Sequence, residues 1–270
     1  MTEKLDQIKL QNLKKILPIP EIHYFEETDS TNAQGLKLAS GNAEEFTLLI
    51  AESQTAGRGR LGRKWVTGEG TSLAFSLILH PSHEEIPIIS LFSLMGGLAL
   101  CRAIKAACAN AAPKVKWPND VLLDGKKTSG ILAETNWQGD KLSGLVLGIG
   151  INIYAGSVPP ADLLLFPATC VQAHCDKKID RLDFLAAVLR EIIALRPKIK
   201  NASFMQEYTE HLAFNGENVF LKSGEGQVIQ TGAAYPPTGA ITVEAASVAE
   251  GVTTISLPGG DNEAIQCGGS

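Results

Sequence analysis

Leu48-Leu-Ile-Ala-Glu-Ser-Gln-Thr-Ala-Gly-Arg-Gly-Arg-Leu-Gly-Arg-Lys-Trp-Val-Thr-Gly-Glu-Gly70 decides the fold. Its apolar start reads as a buried strand ending at Ala51, and the rest as a loop carrying Arg58, Arg60, Arg63 and Lys64. No acid stands between Glu52 and Glu69, and Gly57, Gly59 and Gly62 interleave with the cations. Glycine lets a backbone turn sharply and approach a ligand closely. Gly57-x-Gly59-x-x-Gly62 spells a dinucleotide fingerprint after a strand, but that fingerprint needs a helix opening at the loop. Here Gly68 and Gly70 break the chain and a strand-like run over 71–80 follows. A parallel, doubly wound sheet is therefore set aside. Three readings of the cations stay open: a grip on a polyphosphate or carboxylate, a nucleic-acid patch, or a charged face in water.

Working outward, residues 3–17 carry a loosely helical apolar stripe ended by Pro18 and Pro20, and 23–26 reads as a strand. Asp29, Ser30 and Thr31 are capable caps for a helix running to about Ser40; a helix N-terminus also offers free N–H groups to a guest. Beyond the loop, 88–111 reads as a long apolar helix and 114–117 as a short strand. Asp124-Gly125 is the strongest hairpin signal in the chain. It links 121–123 to 128–135, and a second turn at 137–140 leads into 142–153. This predicts an α+β layer, a mixed sheet built on hairpins and flanked by helices. Residues 154–180 read as loop, and 181–200 and 203–213 as helices. From Glu217, short β-like runs at 217–222, 226–231, 240–244 and 252–257 predict a small barrel. The expected division is an N-terminal helical extension (1–21), a main domain (22–213) and a small C-terminal domain (214–270).

At 270 residues, with 44% hydrophobic and 20% charged residues, the chain has the composition of an ordinary globular protein. Its net charge of −5 gives no overall attraction for nucleic acid, so the basic loop stands against the general sign. The first residues lack a secretory pattern, and no apolar run reaches the ~20 residues of a membrane span. Five scattered cysteines without a C-x-x-C pair read as reduced thiols, consistent with a cytoplasmic protein. Cys101 and Cys108, seven apart on a helix, would sit roughly 10 Å apart, too far to bridge. Cys170, His174 and Cys175 have no second ligand pair spaced to complete a metal site.

A second dense constellation follows: Lys116-Trp-Pro-Asn-Asp120, Gly125-Lys-Lys127 and Gly130-Ile-Leu. It is no Walker loop, which would need Gly at 120 and Ser or Thr at 127. It does supply Asn119 and Asp120 at a proline-set corner near a lysine, a setting suited to Mg²⁺–nucleotide chemistry.

Taken in order, Asp29-Ser-Thr-Asn32, Gln54-x-x-Gly-Arg-Gly-Arg-x-Gly-Arg-x-Trp65, Lys116–Asp120, Lys127-x-x-Gly130 and Gly148-x-Gly-x-Asn152 closely resemble the bacterial biotin–protein ligases. The resemblance runs over about 22–257 and is densest over 29–152. The related lipoate ligases carry a different loop, Arg-Arg-x-x-Gly-Gly-Gly-x-Val, which is absent here. The resemblance implies a class II aminoacyl-tRNA synthetase-like sheet followed by an SH3-like barrel. It also implies two half-reactions. Biotin and Mg·ATP give biotinyl-5′-AMP, and a lysine of a biotin carboxyl carrier domain then takes the biotinyl group. By motif, Ser30, Thr31 and Gln54 would bind biotin, and Asn32 would belong to the same ligand-binding set. Arg58, Gly59 and Arg60 would cover its carboxylate and the phosphates, with Gly57 and Arg63 also in the ligand-binding loop. Lys127 would act catalytically with Arg58 and Arg60 at the reacting carboxylate, beside Gly130. Trp65 and Asn119 would lie near the nucleotide, Asp120 near Mg²⁺, and Asn152 near the ribose and phosphate. Residues 57–70 are expected to be mobile without ligand and ordered around it. No DNA-binding domain precedes 22, so repressor activity is not expected, while edge-strand homodimers are common in the family. Tyr235-Pro-Pro-Thr-Gly239 and the ending Gln266–Ser270 depart from the family's barrel pattern.

Overall fold

In the computed structural model, residues 4–41, 43–164, 166–215, 219–222, 228–231 and 254–255 are described. Seven strands form one mixed sheet: β1 (Ile22–Thr28), β2 (Leu48–Gln54), β3 (Ser72–Leu79), β4 (Lys114–Lys116), β5 (Asp120–Leu123), β6 (Lys126–Gln138) and β7 (Lys141–Asn152). Their order is β1-β2-β3-β7-β6-β5-β4. All neighbours are antiparallel except β1 and β2, which run parallel across a short helix, α2 (Thr31–Ala39). The expected hairpin-built sheet therefore contains one βαβ unit as well. The Asp124-Gly125 turn has both residues at positive φ (48° and 71°), the geometry that a two-residue hairpin turn requires.

Both faces of the sheet are covered, which is why β3 is buried at all eight positions instead of alternating. Leu49, Ile78 and Val146 pack with Ala39 of α2 on one face. The neighbouring Leu48, Ile50, Leu77, Leu145 and Leu147 join a larger core with α3 (Leu91–Ala107) and α4 (Arg181–Leu195). Gly96 and Gly97 of α3 let that helix lie close to the sheet: an added Cβ would meet Ile131 at 3.2 Å and Val115 at 2.7 Å. α3 starts three residues after the expected 88 and ends four before 111, following a 3-10 turn (His83–Ile88) that contains Pro87. Likewise Pro197 converts the end of the predicted 181–200 helix into a 3-10 turn. At the N-terminus, α1 (Gln7–Asn12) is capped by Asp6, and α5 (Ala202–Glu210) follows α4.

The reduced-thiol reading is corrected at one pair: Cys108 and Cys175 form a disulfide across 67 residues. The fold brings the end of α3 against the turn at 171–174, a contact that sequence spacing does not encode. Cys101 and Cys170 are free and buried. Beyond Asn215 three short strands are described, β8 (Val219–Lys222), β9 (Val228–Thr231) and β10 (Thr254–Ile255), in the order β10-β8-β9. The remainder of the expected barrel, including the run at 240–244, lies outside the described residues. Among the described residues no helix is long and apolar enough to cross a membrane.

Candidate active site

Ser30 leaves β1 in extended conformation and caps α2, its hydroxyl accepting from the Ala33 N–H. The next two side chains are oriented by their neighbours. Thr31 donates to Gln54 Oε1 through its backbone N–H (2.8 Å) and its hydroxyl (3.2 Å). The Ser76 hydroxyl lies 2.6 Å from Asn32 Oδ1 and 2.8 Å from Thr31 Oγ1. Asn32 Nδ2 donates to the Leu132 carbonyl and to Glu134 Oε2. Ser30, Thr31 and Asn32 are buried at 2–4% exposure, so their polar atoms are held by this network.

The basic stretch folds back as a tight hairpin. Gly59 N–H donates to the Arg63 carbonyl, Trp65 N–H to Gly57, and Arg58 bridges Lys64. Leu61 and Gly62 turn the tip at φ 55° and 73°. Gly57 is required by proximity, since a Cβ there would lie 2.4 Å from the Trp65 carbonyl oxygen. The Trp65 indole then rests across β7 and β6, where a Cβ on Gly150 would lie 2.3 Å from its ring and one on Gly130 3.3 Å. Gly148 makes the same allowance for Asn32, whose Oδ1 would be 2.0 Å from an added Cβ. The glycines of Gly148-x-Gly150 are thus the floor on which Asn32 and Trp65 lie.

At the opposite wall, a cis Trp117–Pro118 peptide precedes Asn119 and Asp120. Asn119 is tied to β6, donating from Nδ2 to the Ile131 carbonyl and accepting the Ile131 N–H. Asp120 Oδ1 lies 2.7 Å from Lys127 Nζ, and Oδ2 lies 3.9 Å from Lys116 Nζ. Lys127 also stands over the Trp65 ring at 5.8 Å. The Lys127 backbone pairs with 167–169, and that loop in turn accepts from Asn152 Nδ2 at the Thr169 carbonyl.

Loop, helix N-terminus and corner line one cleft. Six cations line it (Arg58, Arg60, Arg63, Lys64, Lys116 and Lys127) against one carboxylate, Asp120. Ser30, Thr31, Asn32, Gln54, Gly59, Trp65, Asn119 and Gly130 are also in its walls. Gly57 lines the adjoining groove beneath the loop, and Asn152 is buried behind the wall with its amide turned to Thr169. Sequence reasoning missed Ser76 and Glu134. Ser76 was hidden in an apolar strand; Glu134, two residues beyond Leu132 on the same face of β6, was legible only from the period of two. Among the described residues no group of three His, Cys, Asp or Glu side chains could hold a metal by itself.

Sheet, helices and cleft together define a catalytic domain of the biotin protein ligase type. The Biotin/lipoate A/B protein ligase family matches residues 24–152, and this chain belongs to that family. It is 39% identical over 168 residues to a "Bifunctional ligase/repressor BirA" of Bacillus spizizenii, covering 62% of this chain and 50% of that protein. It is 41% identical over 163 residues to a "Biotin--[acetyl-CoA-carboxylase] ligase" of Paracoccus denitrificans, covering 58% and 65%. The chain thus spans half to two thirds of the length of these curated relatives. Among solved structures, a mutant of the Aquifex aeolicus biotin protein ligase in complex with biotin aligns at TM-score 0.66 and 30% identity, over 88% of this chain and 96% of that one. The Aquifex aeolicus enzyme in complex with biotin and ATP aligns at TM-score 0.62 and 29% identity, over 80% and 97%.

Proposed function

We propose that this protein is a biotin–protein ligase. Biotin's carboxylate attacks the α-phosphorus of ATP, and pyrophosphate leaves. The ε-amine of a lysine on a biotin carboxyl carrier domain then attacks the carbonyl carbon of the adenylate, and AMP leaves. The cleft's charge carries this reading: six cations against one carboxylate surround a capped helix N-terminus. Bringing a carboxylate onto a phosphate joins two anions, so fixed positive charge must offset their repulsion while the reacting atoms are held ~3–3.5 Å apart. No side-chain nucleophile is required.

In this reading Ser30, Thr31, Asn32 and Gln54 receive biotin, and Arg58 and Arg60 lie over its carboxylate and the phosphates. Lys127 stabilises charge at the α-phosphate, and Trp65 and Asn119 flank the nucleotide. Mg²⁺ bound with ATP typically uses one or two carboxylates plus substrate phosphates. A cleft with a single acid, Asp120, fits such a metal, which would neutralise phosphate charge. The adenylate is sensitive to water, and in this reading the hairpin at 57–65 excludes it. That role predicts faster amide exchange across 57–70 without ligand than with biotin and ATP.

The test is mass spectrometry of a purified carrier domain mixed with this protein, biotin and ATP. One biotinyl addition on one lysine is expected. Pyrophosphate release with lipoate or octanoate in place of biotin would move the reading to the lipoate branch of the family.

A further inference from the structure

The groove beneath the basic hairpin is lined by residues 56–64 together with Leu132 and Glu134. Glu134 is the only carboxylate among them. It lies on the face of β6 shared with Gly130 and Leu132, which line the cleft itself. One of its oxygens accepts from Asn32 Nδ2 at 2.8 Å, and the other lies 3.3 Å from Arg58 Nη1. Asn32 is in turn fixed by Ser76, by the Leu132 carbonyl and by its seat over Gly148. The carboxylate therefore reaches Arg58 from a pre-set position, at 26% exposure. Exposed ion pairs are ordinarily weak because two long side chains must be ordered at once. Here one partner is already held, and that cost falls largely on Arg58 alone.

We infer that Glu134 is a positioning residue: it anchors Arg58, and through Arg58 the basic hairpin, to the Asn32–Ser76–Thr31–Gln54 network at the helix N-terminus. This rests on the ligase reading for its kinetic consequence, though not for its structural one. Glu134 touches no reacting atom in this account; it sets where the guanidinium stands relative to the site beneath.

The test uses Glu134→Gln, which keeps the shape and an acceptor for Asn32 but removes the charge facing Arg58. It is paired with Arg58→Ala and the double variant. Amide exchange across 57–65 should speed several-fold in Glu134→Gln while the thermal midpoint stays at the wild-type value. The kcat/KM for biotin, read by pyrophosphate release, should fall roughly 5–30-fold, the factor set by one to two kcal/mol. On the Arg58→Ala background Glu134→Gln should cost nothing further. Wild-type exchange in Glu134→Gln, or an equal loss on both backgrounds, overturns the anchor. A wild-type protein that consumes no biotin overturns the ligase reading instead, and the exchange comparison still decides the role of Glu134.

Discussion

Lys127 Nζ and Asp120 Oδ1 stand 2.7 Å apart at the wall of the cleft, with Trp65 lying beside the lysine. In the proposed reaction this ammonium would face the joining acid and phosphate, with Asp120 holding its direction. Lys127→Ala should lower biotin-dependent pyrophosphate release by at least about 100-fold, the scale lost with one transition-state donor. Near-normal release would remove Lys127 from that step.

The glycines of β7 permit a sharper dissection. Gly150→Ala drives a methyl group into the Trp65 ring, and Gly148→Ala drives one into Asn32. Overpacking of this kind costs about 1–3 kcal/mol when neighbours must shift. On the proposed assignment of Trp65 to the nucleotide and Asn32 to biotin, Gly150→Ala should raise KM chiefly for ATP and Gly148→Ala chiefly for biotin. Equal effects of each variant on both KM values would contradict that assignment.

Parts of this arrangement are readable in the sequence alone, and the reasons differ by residue. Ser30 could be read as a cap and Asp124-Gly125 as a hairpin because capping and turn geometry are local demands met by nearby residues. The parallel β1–β2 pair, the Cys108–Cys175 bridge and the pairing of Glu134 with Arg58 were not legible, since each depends on segments that the fold brings together. Asn152 shows the limit of a motif: it stands in the expected strand, yet its amide is committed to Thr169 behind the wall.

Acid should destabilise the protein through two clamps. Glu85 is gripped by both terminal nitrogens of Arg196, and Glu207 by Nε and Nη2 of Arg102. Hydrogen bonds from the guanidinium groups hold both carboxyls below their ordinary value of 4.5. The folded state therefore binds fewer protons than the unfolded one, so this stabilisation is present above about pH 4.5 and is lost as pH falls through the depressed values. Urea unfolding between pH 7 and 3 should show that loss. Glu85→Gln and Glu207→Gln should each lower stability at pH 7 and flatten the acid slope; an unchanged slope would exclude the clamp concerned.

The last prediction concerns the support beneath Gln54. Glu52, two residues earlier on β2, is fully buried and meets Arg181 Nη1 at 2.9 Å and Nη2 at 3.3 Å. Arg181 also donates to the Ser72 carbonyl, while the Leu5 N–H donates to Glu52, so one carboxylate joins the N-terminal segment, β2, β3 and α4. Removing only the cation leaves a charge stranded in the core. Arg181→Ala should therefore cost roughly 3–5 kcal/mol in urea unfolding, against about 0–1 for an exposed pair. Glu52→Gln/Arg181→Met removes both charges and should recover much of that loss. Because β2 delivers Gln54 to Thr31, Arg181→Ala should also raise the KM for biotin while the double variant does not. A cost below about 1 kcal/mol for Arg181→Ala would mean that water reaches Glu52 once the arginine is gone.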